Sequence, residues 1–407
     1  MQLLVADPLD VAPLEALELM GVEVSYQPDL DEIGLVGAVP NVDVLVVTET
    51  AVPATVFEAA LGLGLVIVAE AGHGAVDLDA ASQRGVYVAN CPKTRNHAVA
   101  ELVIGMMVAL DRELAAAHAS LARGRWEHDR FARGKGLAGR TLGLAGLDGP
   151  ASQVAVVAKA LGMDVSVWSE KMSLVKAAAL GVRPSPSLGQ LFAESDVVSL
   201  HLPRKESTRT IVDATALARL REGAIFINTA HADLVDQSAL FAAAKRRNLR
   251  LGLDALAGAP RVERLERFEA DEFRLAGDAV HLCLTPRIAP STVQARDAVA
   301  EEVSHIVRAF LTAEAVPNVV NVVRTTVARY VLVLRSLDRV GVLANVLAVV
   351  KRHGLNIAEI RNQNFEGGEA ACTKLKVSGR PSDSCLQEIQ AFEEVLHVDL
   401  VPLPNIA

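Results

Sequence analysis

Cysteine is scarce and unpatterned. The four thiols, Cys91, Cys283, Cys372 and Cys385, are scattered, with no C-x-x-C and no neighbouring His pair. That excludes a disulfide framework and a spaced zinc site, so no metal is expected and the thiols read as reduced, in a cytoplasmic protein. Long basic runs are absent too. With a formal net charge of -9 and a pI of about 5.6, the chain lacks the footprint of a nucleic-acid binder. No apolar run reaches membrane-spanning length, and MQLLVADPLD is too short and too acidic for a signal peptide. Internal repeats and low-complexity tracts are missing. What remains is an ordered globular chain, 51% hydrophobic over 407 residues, long enough for two or three domains that each bury a core.

What is present is a regular alternation of strands and helices. Over residues 1 to about 97 the candidate strands are Leu3–Ala6, Val22–Tyr26, Val42–Val47, Val66–Ala69 and Val86–Ala89, with helical pieces ending at glycine between them. Such βαβ order builds a parallel sheet covered on both faces. A long helix is expected from His97 through Ala122, followed by the basic, aromatic connector GRWEHDRFARGKG. A second alternating unit then runs to the strand AVHLCLTP, and a helix over Thr292–Thr312 crosses back toward the first unit. Ala313–Thr326 reads as a linker. From Ala328 the order becomes βαββαβ, a ferredoxin-like module of about 75 residues.

The stretch Thr141–Glu170, TLGLAGLDGPASQVAVVAKALGMDVSVWSE, organises the middle of the chain. It reads as strand, glycine turn, helix and strand, with Pro150 at the first helical position and an apolar face at Val154, Val157, Ala158 and Leu161. That is the opening of a dinucleotide-binding sheet. Its turn departs from G-x-G-x-x-G. Gly146 is present, but Asp148 replaces the second glycine, Ala151 the third, and Ser169 the acidic residue that would hold ribose hydroxyls. Asp148 reads as an N-cap for the following helix or, alternatively, as part of an altered ligand site.

The chain resembles the D-2-hydroxyacid dehydrogenases, and within them the phosphoglycerate dehydrogenase branch that carries one C-terminal ACT domain. The motifs that carry this are AGHGAVDLDAASQRGVYVANCP, AVAELVIG, GRTLGLAGLDG, SDVVSLHLP, GAIFINTA, LVDQSAL, LDAL, LTPRIAPST and DRVGVLANVL…GLNIAEI, spread over essentially the whole chain. The resemblance implies an α/β protein with two doubly wound parallel-sheet domains and a βαββαβ ACT domain. It implies a discontinuous substrate-type domain (1–97 and 287–320), a nucleotide-type domain (98–286) and the ACT domain (328–407). It also implies a homo-oligomer, dimer or tetramer.

The family's working positions are changed one by one. Its carboxylate-clamping Arg falls at His231, its general acid/base His at Arg287, and that His's supporting Glu at Ala259. A further substrate-loop Arg falls at Val47, and Glu49 adds an anion beside it. Arg287 cannot give up a proton near neutral pH, and Ala259 can orient nothing. Asp254, which in the family contacts the nicotinamide amide, is retained. His73, His97 and His201 read as structural, His201 by satisfying backbone groups. In the ACT module the effector positions fall at Ser336, Asp338 and Asn356, for an amino-acid effector or, alternatively, for assembly alone.

Two readings follow. In one, the chain is a non-catalytic regulatory or structural homologue without a bound cofactor, which senses a metabolite or partners an active relative. In the other it is an NAD-dependent 2-hydroxyacid dehydrogenase of serine biosynthesis with Arg287 and His231 in exchanged roles.

Overall fold

A computed structural model of the chain describes residues 1–147, 149–170, 172–259, 281–323 and 328–403. It divides into two compact units, Met1–Asn321 and Val322–Ala407. The first unit contains two parallel sheets. β1 (Gln2–Val5), β2 (Glu23–Tyr26), β3 (Val44–Val47), β4 (Leu65–Val68) and β5 (Tyr87–Asn90) form one, in the order β2-β1-β3-β4-β5. β3 and β4 are buried at every position, because apolar clusters cover both faces of the sheet. The helix Val293–Leu311, capped by the Thr292 hydroxyl, returns to one of those faces. Its Val299, Val303, Ile306 and Val307 share a core with Leu3, Val5 and Val44.

The second sheet comprises β6 (Thr141–Ala145), β7 (Asp164–Trp168), β8 (Arg183–Pro184), β9 (Val197–Leu200), β10 (Ile225–Asn228), β11 (Arg250–Leu253) and β12 (His281–Leu284). All pairs are parallel and the order is β12-β11-β10-β9-β6-β7-β8, so the strand order reverses between β6 and β9. Two clusters cover this sheet, and in one of them Phe192 and Phe226 meet edge to face at 6.3 Å. The architecture is α/β with two Rossmann-like parallel sheets, followed by a separate antiparallel sheet.

Three sequence expectations are corrected here. The helix expected over His97–Ala122 is two helices, Asn96–Arg112 and Leu114–Ala122, broken where Glu113 takes a left-handed φ of 50°. In the helix Pro150–Ala160 the buried face is Ala151, Val154, Ala155 and Ala158, while Val157 and Leu161 lie toward solvent. Small residues are needed there because the helix packs closely on β6 and on Asn96–Arg112. The expected linker is only partly one. Val319 bridges to Ala89, and the Asn321 side chain bonds Val88 N and Val86 O, so 319–321 belong to the first sheet's edge. The charged stretch RVERLERFEADEF lies outside the described residues.

The second unit has the expected βαββαβ order. β13 (Tyr330–Leu337), β14 (Ile357–Asn364), β15 (Ala370–Val377) and β16 (Val395–Pro402) pair antiparallel in the order β14-β15-β13-β16. The helices Val342–Arg352 and Asp383–Gln390 cover one face through Val346, Val349, Val350, Cys385 and Ile389. Among the described residues, no helix is long and apolar enough to cross a membrane.

Candidate functional site

Open parallel sheets bind ligands beyond the carboxyl ends of their strands, near the point where strand order reverses. In the first sheet that point lies between β1 and β3. Asp7, just past β1, accepts from the amides of Thr48, Glu49 and Thr50 and from the Thr50 hydroxyl at 2.8 Å. One buried carboxylate thereby shapes the loop after β3. Val47 closes β3 with its side chain in the core, so it faces no ligand. The residues presented there are Thr48–Thr50.

The loop after β4 carries Glu70, which pairs with Arg95 at 2.9 Å, while the same guanidinium donates to Ala69 O. Burial pushes the Glu70 carboxyl above its ordinary range. Arg95 pulls it down, Glu49 adds to the rise, and Arg287 also lowers it. Sequence reading missed Glu70, Arg95 and Asp7. The available signal was position: each lies within a few residues of a parallel strand's end.

From the second sheet, His231 follows β10. Burial pushes its imidazole down, helped by Arg204 and Arg287 and opposed by Asp233, so it is neutral at physiological pH. Asp233 is itself held by Arg204 at 2.7 Å. The ring of His231 donates no hydrogen bond to a carboxylate among the described residues. Beside it, the Thr229 hydroxyl is buried and lacks a hydrogen-bond partner among the described residues. Arg287 sits on the turn after β12 at a left-handed φ of 55°, with its side chain exposed. Asp254 brackets that turn. Its Oδ1 accepts from the Thr285 hydroxyl at 2.6 Å and Ile288 N at 2.8 Å, and its Oδ2 from Ala289 N at 2.9 Å. The retained Asp254 therefore spends its carboxylate on the backbone around Arg287. The turn after β11 is Ala255-Leu256-Ala257-Gly258-Ala259, without a titratable side chain.

The structure thus brings Arg287 into the field of His231 and, separately, of Glu70, and places Ala259 as an inert methyl on a strand-end turn. His201, just past β9, has its ring on the Ser199 hydroxyl at 3.0 Å rather than on backbone, and burial pushes it down to about 4. His73 and His97 are exposed.

The fit to a dinucleotide is partial. Gly146, at φ 101°, is required by packing, since a Cβ there would lie 2.4 Å from His201 O. Gly149 starts the helix with no side-chain cap of its own, and its Cα faces space open to Asn96. Pro150 removes one of the orphan amides that would meet a phosphate, and Ser169, just past β7, offers a hydroxyl where a carboxylate would grip the ribose. Asp148 lies outside the described residues. The scaffold for a nucleotide is in place, but the donors and acceptors that would hold one are reduced.

In the second unit, Ser336 is buried on the helix-covered face of β13. Asp338 follows β13 and accepts from Asn364 at 2.6 Å, whereas Asn356 precedes β14. The eight residues of β14 separate Asn364 from Asn356, about 25 Å at the usual strand rise. Asp338 and Asn356 of one copy are therefore too far apart to hold one small ligand between them.

Residues 104–276 match the family profile described as the D-isomer specific 2-hydroxyacid dehydrogenase, NAD binding domain. The chain is 38% identical over 244 residues to a hydroxypyruvate reductase of Thermotoga maritima, covering 58% of this chain and 76% of that protein. It belongs to the D-2-hydroxyacid dehydrogenase family. A D-3-phosphoglycerate dehydrogenase of Mycobacterium bovis is 36% identical over 351 residues, 85% of this chain but 63% of the relative, so the chain spans less than two thirds of that protein's length. Among solved structures, the TT0316 protein of Thermus thermophilus superposes with a TM-score of 0.68 at 30% identity, over 79% of this chain and all of that one.

Proposed function

We propose that this family member is a non-catalytic homologue of phosphoglycerate dehydrogenase, a cytoplasmic homo-oligomer that binds a small metabolite without transferring hydride. One observation carries this: the side chain presented beyond β12, where the family's acid/base stands, is Arg287, a permanent cation on a turn built to hold it. The supporting carboxylate is missing as well, since residues 255–259 are all apolar or glycine. General acid/base catalysis is worth about 10²–10⁴-fold, and this arrangement forgoes it. With Pro150 and Ser169 in place of phosphate and ribose contacts, NAD affinity falls out of the micromolar range. On this reading the βαββαβ unit is an ACT module that serves in assembly or in amino-acid sensing between copies, with an active relative as another possible assembly partner.

The test is an absorbance assay with 3-phosphoglycerate and NAD, and with 2-oxo acids and NADH, alongside calorimetric titration of both cofactors. No enzyme-dependent absorbance change and a Kd above about 100 μM are expected. A second reading has one observation in its favour: His231 is neutral and lies in the field of Arg287, so exchanged base and clamp roles are chemically conceivable. Turnover that His231→Ala abolishes would establish that reading and remove the first.

A further inference from the structure

In the second unit, β15 turns Thr373, Leu375 and Val377 toward the helices, so Cys372, Lys374 and Lys376 lie on the other, open face of the sheet. Register sets Glu359 of β14 opposite Lys376, and Arg361 opposite Lys374. On the far side the same two lysines face Val331 and Val333 of β13. Lys376 and Arg361 both donate to Glu359 and hold its carboxyl below the ordinary range, so it stays charged. Farther across the sheet, Asp399 of β16 pairs with Arg335 at 3.3 Å. Lys374 has no anionic partner among the described residues. Its neighbours are Arg361 directly across and Lys376 two positions along, both cations. Like charges directly opposite one another weaken a sheet. Three cations against the one carboxylate of Glu359 leave two positive charges uncompensated. These side chains also share a space. An open pocket of about 710 Å³ is lined by Glu359, Arg361, Gln363, Lys374 and Lys376, and by Val331. That volume suits a small molecule.

We propose that this pocket binds a small phosphate monoester, its phosphate on Lys374 and Arg361 and its alcohol part toward the Gln363 amide. A phosphate monoester carries a charge of about -1.5 to -2 near neutral pH, which matches the two uncompensated cations. The planar fork of an arginine beside the point charge of a lysine suits its oxygens. A monocarboxylate would leave one charge unmet, and the ammonium of a zwitterion would meet Lys374 as a like charge. A long polyanion fits less well. Beyond Lys374 and Lys376 the face continues as Val331 and Val333, and Arg335 is already neutralised by Asp399, so no positive track crosses the sheet. The chain as a whole, at a net charge of -9, repels such a partner. A second copy laid face to face would bury the Lys374 ammonium without a counter-ion, which is costly. All the residues invoked belong to the second unit, so the assignment does not depend on whether the first unit transfers hydride.

Calorimetric titration of the full chain with glycerol phosphate, inorganic phosphate and succinate, in a low-salt buffer free of phosphate, tests it. Glycerol phosphate is expected to bind with a Kd of about 1 mM or tighter, and at least about tenfold tighter than succinate. Lys374→Gln and Arg361→Gln should each weaken that binding about tenfold or more, as loss of a charge-assisted contact does. Lys351→Gln, which removes an exposed cation from a helix of the same unit, and Arg287→Ala in the first unit should each leave it within about twofold. Without ligand, Lys374→Gln should melt at or above the parent's temperature, because it removes a like-charge pair. No binding of glycerol phosphate below about 10 mM overturns the proposal. So does succinate binding as tightly, or an equal loss in Lys351→Gln, which would reduce the effect to general charge. Binding lost in Arg287→Ala but kept in Lys374→Gln overturns it by moving the ligand to the first unit. A clearly lower melting temperature of ligand-free Lys374→Gln would show the ammonium already compensated, and a changed sedimentation of that variant would make the face a contact between copies. Either result overturns the proposal as well.

Discussion

The bodies of the strands in the second sheet and the loops at their carboxyl ends obey different constraints. β9 and β10 are buried at every position, pressed between apolar clusters on both faces, and any change in them is felt on two sides. The loops at the carboxyl ends present His231, beyond β10, and Arg287, beyond β12, on the surface, where a change of side chain costs the fold little. Family membership is therefore legible in the bodies, whereas a reaction is set by the side chains presented beyond them, so similarity of fold does not by itself fix the chemistry.

The largest effect that would sharpen this comparison lies in a strand body. Phe226 is fully buried against Phe192, and Phe226→Ala should cost about 3–5 kcal/mol in a urea titration. A loss below about 1 kcal/mol would break the comparison, since it would mean that the sheet interior tolerates a cavity as a loop tolerates a new side chain.

An intermediate effect belongs to His201, at the junction of body and loop. Burial holds its pKa near 4, against an ordinary value of 6.5. Between those values the unfolded chain binds the proton and the folded one does not. Stability is therefore complete above pH 6.5 and is lost as pH falls toward 4, by about 3 kcal/mol in all. His201→Asn keeps a polar group near Ser199 without the titration, and should flatten the acid limb of melting temperature against pH. An unchanged acid limb would show that other groups carry it.

The smallest effect is expected at a loop tip. Glu49→Gln should leave the melting midpoint within about 0.5 kcal/mol of the parent, because the side chain is exposed and the loop is held by Asp7 rather than by it. A loss of 2 kcal/mol, roughly that of a broken buried network, would place Glu49 in the scaffold and not among the tips.

Much of this was determined by the chain alone. Runs such as VLVV, VVSL and IFIN are too short and too apolar to be anything but buried strands once glycine and capping residues punctuate them. The change of order after Ala328 marks a separate unit for the same reason. The identities of His231, Ala259 and Arg287 are likewise plain in the sequence. Tertiary structure decided the rest. It split the long helix at Glu113, where a left-handed backbone angle leaves no local trace in composition. It buried Val47 and turned Thr48–Thr50 outward through the Asp7 carboxylate, 41 to 43 positions away in the chain. It gave Asp254 to the Arg287 turn and set Asp338 and Asn356 at opposite ends of β14. Periodicity along a chain reports which face of an element is buried, but not which strand ends converge. Convergence depends on sheet order and twist, and charge partners are chosen only there.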